Sequence, residues 1–320
     1  MFTFKELAQQ FAERFKDQQF PDSSNLYAAG NYFLQLGGKR IRPVMCLMGN
    51  ELFDDINPHA WHVATAVEMF HNFTLVHDDI MDNASLRRGQ PTVHEKYGKS
   101  TALLTGDMMI VSAYEYLNKI DGKYLHKIMT IFNRIGKEVC EGQQMDMDFE
   151  KQDGVKLDDY IKMISLKTSV LLAGSLQMGA ILGGASLGNQ QHIYEFGRNL
   201  GIAFQLQDDY LDAFGDPDKF GKEVGGDIKA NKKTFLVIGA LAVSNPSQQQ
   251  ELQQLLQGQS ADKVEKVVSI FKSRKVDEWA RELKNDFMNK AMHHLEEIAV
   301  ISRRKEPLSQ LAQFLIQREF

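Results

Sequence analysis

The sequence predicts an all-α fold on three observations: apolar residues recur at three- and four-residue spacing, proline is scarce at 7 in 320 residues, and alternating strand patterns are almost absent. Helices are expected over Phe4 to Lys16, Asn25 to Leu36, Pro43 to Leu52, Pro58 to Met81, Thr92 to Gly98, Ala102 to Asn118 and Leu125 to Phe149. Further ones follow over Leu157 to Leu182, Asn189 to Phe214, Thr234 to Val243, Gln248 to Gln257, Ala261 to Phe271, Val276 to Ile298 and Pro307 to Phe320. Pro43 and Pro58 suit a first helical turn, where a missing N–H is harmless. The opening MFTFKELAQQFAERF alternates charged and apolar groups without the long apolar stretch of a leader, so a packed N-terminal helix is expected. Asp216 to Lys233 lacks periodicity and is expected as a long loop, a kind of segment that is often functional. The glutamine-rich Gln248 to Gln257 keeps Leu252, Leu255 and Leu256 at helical spacing and reads as a surface helix. Length alone suggests roughly two domains, but helices joined by short Gly-, Asn- and Asp-containing links favour a single large bundle over residues 1–320.

Composition narrows the function. With 43% hydrophobic and 25% charged residues the chain is an ordinary globular protein. Its net charge of -5 gives no global positive field to attract nucleic acid or an acidic membrane. The most apolar stretch, Val170 to Leu187, is broken by Ser175, Gln177 and several glycines, so a buried helix fits better than a membrane span. Cys46 and Cys140 stand in no metal-ligand or redox spacing and are expected as buried thiols in a reducing cytoplasm. Arg303-Arg304-Lys305 is expected as a solvated cluster.

One pattern occurs twice: Asp78-Asp79-Ile80-Met81-Asp82 and Asp208-Asp209-Tyr210-Leu211-Asp212. On a helix the first and last aspartates of each lie on one face a turn apart, where like charges repel. Both clusters follow apolar segments, and partial burial raises that penalty. A divalent cation relieves it, and an all-oxygen donor set favours magnesium, which commonly binds one or two carboxylates together with substrate phosphate oxygens. Two such clusters facing each other would clamp a diphosphate. Upstream, Gly37-Gly38-Lys39-Arg40-Ile41-Arg42-Pro43 is a glycine turn carrying cations, and Arg87 and Arg88 follow the first aspartate cluster. Guanidinium forks and a lysine point charge suit phosphate oxygens, although a solvated turn would also account for Arg40. His77 is read as a core or supporting residue because hard magnesium disfavours imidazole. His94 is read as structural.

The segments GGKRIRP, HNFTLVHDDIMDNASLRRGQPTVH, EGQQMD, LKTS, FQLQDDYLD and FGKEVGGDIKANKKT occur in the order and spacing of the trans-isoprenyl diphosphate synthases. The chain resembles that family over roughly Leu36 to Thr234, with no motif broken. The resemblance implies an all-helical fold around a deep central cavity, a homodimer, and head-to-tail condensation of isopentenyl diphosphate with an allylic diphosphate. It implies three magnesium ions per active site, held by Asp78, Asp82, Asp208 and Asp212. Arg87, Lys167, Lys222 and Lys232 match groups on the allylic diphosphate, and Thr168 and Gln205 match groups lining the place where the carbocation forms. Lys39, Arg42, His71 and Arg88 match the metal-free isopentenyl diphosphate site. Gln143 and Asp146 match family positions that shape the cavity or orient other groups. Phe73 and Thr74, one helical turn before Asp78, match the positions that set product length, and an aromatic followed by a small residue resembles short-chain enzymes of the geranylgeranyl type, with farnesyl product second. Rival readings are a terpene cyclase on a similar fold, a metal phosphohydrolase, and a non-catalytic regulatory subunit.

Overall fold

The computed structural model describes residues 1–21, 24–152, 154–216, 224–258 and 260–316. The predicted helices form, with small shifts at their ends. They are α1 (Phe4–Phe15), α2 (Asn25–Gln35), α3 (Ile41–Glu51), α4 (Pro58–Met81), α5 (Val93–Tyr97), α6 (Lys99–Leu117), α7 (Gly122–Lys151), α8 (Leu157–Ile164), α9 (Val170–Leu182) and α10 (Leu187–Phe214). After these come α11 (Gly226–Lys229), α12 (Phe235–Ala242), α13 (Pro246–Gln257), α14 (Lys263–Ser273), α15 (Val276–Glu296) and α16 (Ser302–Ile316). The strands among the described residues form one hairpin of two residues on each side, β1 (Leu86–Arg87) and β2 (Gln90–Pro91).

The helices gather into two compact units. The first contains Met1–Phe132, Gly174–Gln191 and Val300–Pro307; the second contains Asn133–Ala173, His192–Ala299 and Leu308–Phe320. The division falls within α7, α9, α10 and α16, so neither unit is one continuous stretch of sequence.

In the first unit α1 starts at a capping box, Thr3 with Glu6, and buries Leu7, Phe11 and Phe15. α4 begins with Pro58 at its first turn and Asn57 as cap. It packs along α6, with Phe33, Val76, Val93 and Met109 in the shared core. The second unit closes around Phe235, Leu206, Val267 and Phe271. Its glutamine-rich α13 starts at an Asn245–Gln248 capping box and buries Leu252, as expected of a surface helix.

Several expectations are corrected. α3 starts at Ile41, because Arg40 takes a left-handed conformation (φ 53°) that ends the preceding turn, and Pro43 is therefore its third residue. α16 starts at Ser302 and holds Pro307 inside it; burial of Leu308, Leu311, Ala312 and Leu315 outweighs the proline's loss of a backbone hydrogen bond. The loop after Asp216 contains the short helix α11. Cys46 is buried but Cys140 is exposed. Arg304 donates to the Glu51 carbonyl and Lys305 is buried, so the basic run near the C-terminus is not simply solvated. Leu157–Leu182 is long and apolar enough to cross a membrane, but 72% of its most apolar window is buried in protein, as in a core helix.

Candidate active site

In the first unit, the glycine turn before α3 is built from left-handed residues: Gly37 (φ 76°), Gly38 (φ 153°) and Arg40. A Cβ on Gly38 would stand 3.1 Å from Arg88 Nη2, so glycine lets the turn lie against that guanidinium. Arg40, Arg42 and Arg88 then take different roles. Arg40 pairs with buried Glu68 and lies over the Phe15 ring at 4.7 Å, so it is not a solvated cation. Arg42 Nη1 lies 3.1 Å from His71 Nε2, and its buried Nε has no hydrogen-bond partner. Burial brings the Arg42 guanidinium down to about 10, against the opposing pull of Glu68 and Asp78. His71 is driven well below the ordinary imidazole value by burial and by Arg42, Arg88, Arg87 and Arg40. It is neutral among cations. Lys39 is exposed on the same turn.

α4 carries Asp78 and Asp79 in its last turn and ends with Asp82 as C-cap. Asp79 points inward and is 2% exposed; Arg87 grips it through Nε at 2.9 and 2.8 Å and through Nη2 at 2.7 Å. The hairpin makes this possible. Arg88 (φ 52°) and Gly89 (φ 75°) are both left-handed, which is the tight-turn geometry that folds Arg87 back toward α4. Asp78 is half-buried and Asp82 exposed. One turn earlier Phe73 meets Phe70 and His77 edge-on at 5.5 and 4.9 Å, and Thr74 Oγ1 donates to the His71 carbonyl at 2.8 Å. His77 Nε2 lies 3.0 Å from the Leu103 carbonyl, in keeping with a supporting role.

In the second unit, Lys167, Thr168, Gln205 and Lys232 line one cavity of about 140 Å³. The LKTS segment forms a π turn, Ser165–Ser169, of the kind that recurs at functional sites. Two close approaches hold it: a Cβ on Gly142 would fall 2.3 Å from the Lys167 nitrogen, and one on Gly201 2.7 Å from Ser169 Cβ. Asp146 fixes the Lys167 ammonium at 2.5 Å. Thr168 Oγ1 donates to Gln205 Oε1 at 3.3 Å, Gln205 Nε2 donates to Asp209 Oδ1 at 2.9 Å, and the Tyr160 hydroxyl donates to Asp209 Oδ2.

Asp209 is therefore also an inward-facing middle aspartate, but its partners are neutral. Burial and the charge of Asp227 push its carboxyl up to about 7 against the two hydrogen bonds. Asp212 is raised by burial and Asp227 while accepting backbone N–H groups from Gly226 and Asp227 at the start of α11. Lys232 lies 3.5 Å from Asp227. Asp208 is half-buried.

The predicted residues thus gather in two sets. Arg42, His71 and Arg88 lie near Asp78 and Asp79 in the first unit, and Lys167, Thr168, Gln205 and Lys232 lie beside Asp209 and Asp227 in the second. Lys222 lies outside the described residues. Sequence reasoning did not assign the roles of Asp79, Asp209, Tyr160, Asp227 and Glu68. The doubled aspartate of each motif was the available signal for the first two, whereas Tyr160 and Glu68 carry none until the chain is folded. No group of three or more His, Cys, Asp or Glu able to hold a metal is assembled among the described residues. All-oxygen donors, and an Asp212 carboxyl raised by burial and by the neighbouring charge of Asp227, fit a hard divalent ion that shares its shell with water and phosphate.

All-α architecture, two aspartate-rich helix segments and an anion-suited cation group define a helical protein equipped to handle diphosphates. The polyprenyl synthetase family model matches residues 23–273, and the chain belongs to that family. It is 37% identical to the geranylgeranyl diphosphate synthase of Saccharolobus solfataricus over 98% of this chain and 97% of that one. It is 38% identical to the short chain isoprenyl diphosphate synthase of Methanocaldococcus jannaschii over 84% and 82%. A crystal structure of a geranylgeranyl pyrophosphate synthase superposes with a TM-score of 0.95 at 42% identity, covering 99% of both chains.

Proposed function

We propose that the protein is a short-chain trans-prenyltransferase that joins isopentenyl diphosphate head-to-tail to an allylic diphosphate, with geranylgeranyl diphosphate the favoured product. The observation that carries this reading is the pair of DDxxD segments, each with its middle aspartate held by protein and its outer carboxylates on another face of the helix. The intact second DDxxD and the GGKRIRP turn favour it over a cyclase, and two intact clusters favour it over a regulatory subunit. In this reading residues 1–320 act as one domain in a cytoplasmic homodimer; the family match, which spans segments of both units, supports the single domain.

Arg42, Arg88 and Lys39 hold the isopentenyl diphosphate, and neutral His71 adds a hydrogen bond without adding charge. On the allylic side Asp78, Asp82, Asp208 and Asp212 would hold magnesium, which when bound would neutralise charge gathering on the departing diphosphate. Arg87, Lys167, Lys222 and Lys232 bind the same diphosphate, Lys167 being aimed by Asp146. The C1–O bond of the allylic substrate breaks, and Thr168 and Gln205 present oxygen dipoles to the resulting cation. The isopentenyl double bond attacks it, and a proton passes to the released diphosphate. No protein nucleophile is required. Each ~1.36 kcal/mol of stabilisation given to the leaving diphosphate is tenfold in rate.

Incubation with magnesium, isopentenyl diphosphate and a labelled allylic diphosphate should yield a longer linear diphosphate. A cyclic hydrocarbon or phosphate alone would overturn the reading. Asp78→Ala and Asp208→Ala should each lower turnover by roughly 10²- to 10³-fold or more, the scale seen when one preorganised electrostatic group is lost. Phe73 is proposed as the floor met by the growing chain, so Phe73→Ala should lengthen the product. Unchanged chromatograms of the dephosphorylated alcohols would remove it from that role.

A further inference from the structure

Apart from the aspartate motifs, the second unit brings two histidines of different helices together. His192 stands near the start of α10 and His294 in the last turn of α15, and both are half-buried. Their Nδ1 atoms are 3.2 Å apart, with ring centroids at 5.5 Å and planes tilted by 48°. Two nitrogens so placed can share one proton, or they can share a cation. Metal–nitrogen bonds of about 2.0–2.1 Å at a tetrahedral angle separate the two ligating atoms by roughly 3.3 Å. The observed spacing is the bite of such a site, set by the helices and needing little movement.

We propose that His192 and His294 form a two-imidazole site for a late first-row divalent ion, Zn²⁺, Ni²⁺ or Cu²⁺, that clasps α10 to α15. Imidazole suits these ions and not magnesium, so the site is chemically separate from the carboxylate clusters. Glu195, one turn along α10, is held by Arg198 at 3.2 Å, and the exposed His293 ring lies 5.6 Å from that of His294. Neither completes a three-residue metal site among the described residues. Water would then fill the remaining positions. On binding, the proton between the rings leaves to solvent and each Nδ1 lone pair forms a bond to the metal. The expected result is reversible cross-linking of two helices that carry parts of the second unit's core.

The test uses the full-length, tag-free chain with Cu²⁺ and electron paramagnetic resonance, because nitrogen hyperfine splitting distinguishes imidazole from carboxylate ligands. One copper per chain with two equatorial nitrogens is expected. His192→Gln and His294→Gln, which keep a polar side chain of similar reach, should each weaken that copper by roughly 10- to 100-fold or more. His293→Gln should retain it. Thermal unfolding provides a second readout: Ni²⁺ should raise the midpoint of the wild type and not of the two pair variants. A wild-type spectrum without nitrogen coupling, or one unchanged in both pair variants, would show that the pair is only a hydrogen bond and overturn the proposal.

Discussion

The two DDxxD segments share a local pattern but not an electrostatic environment. Each places its middle aspartate about 100° around the helix from the first, which turns that carboxyl inward. In the first unit Asp79 meets a guanidinium fork from Arg87. In the second unit Asp209 meets a phenol and an amide, with Asp227 adding like charge. The motif therefore specifies which carboxyls share a face, while its neighbours decide whether the inner one lives as an ion pair or leans toward the protonated form.

The contrast can be broken by removing each inner aspartate's partner. Arg87→Ala leaves a nearly buried carboxylate without its counter-charge, and breaking a buried pair costs about 3 kcal/mol or somewhat more. Tyr160→Phe removes one neutral donor while Gln205 remains, and a loss of about 1–2 kcal/mol is expected. Urea unfolding of both variants in metal-free buffer measures the difference. Equal losses would show that the two inner aspartates are held alike, and a larger one for Tyr160→Phe would reverse the contrast.

Acid and base should act on the two units with opposite sign. His71 resists protonation in the folded chain, because of burial and the surrounding arginines, whereas the unfolded chain takes up that proton near about 6.5. Stability from this group is full above that value and falls away as the pH drops toward the folded one. Asp209 behaves in reverse. Its carboxyl titrates at about 7 when folded and near about 3.9 when unfolded, so the folded state binds the extra proton and stability declines as pH rises through that interval. Urea midpoints between pH 4.5 and 7.5 in metal-free buffer should lose the acid-side fall in His71→Gln and the neutral-side fall in Asp209→Asn. Profiles that match the wild type would reject both assignments.

Helix periodicity made most of the fold legible, down to the ends of α4, because amphipathic helices such as α1 bury one stripe, whereas α3 is buried nearly all round. Pro307 misled because the rule it obeys is local, whereas the burial of Leu308 and Leu311 is not. Of the site, the outer aspartates and the cations of GGKRIRP were readable as chemistry. The division of labour among Arg40, Arg42 and Arg88 was not, since Glu68, which captures Arg40, lies on another helix. The hairpin that folds Arg87 back rests on two left-handed residues, Arg88 and Gly89, and only the second announces itself in sequence. The π turn at Lys167 depends on Gly142 and Gly201 arriving from α7 and α10, which no local pattern reports.

A weaker version of the same contrast lies at Lys167. Its partner Asp146 is partly exposed, as is the lysine, so solvent screens the pair and its contribution to stability is small. Asp146→Asn should change unfolding free energy by no more than about 0.5–1 kcal/mol. Its effect should fall on binding instead: a lysine no longer aimed into the cavity meets the allylic diphosphate less well, raising KM for the allylic substrate and leaving KM for isopentenyl diphosphate unchanged. Steady-state kinetics varying one substrate at a time separates these. A matched rise in both KM values would mean that Asp146 supports the fold generally, whereas a rise confined to the allylic substrate assigns it to aiming Lys167.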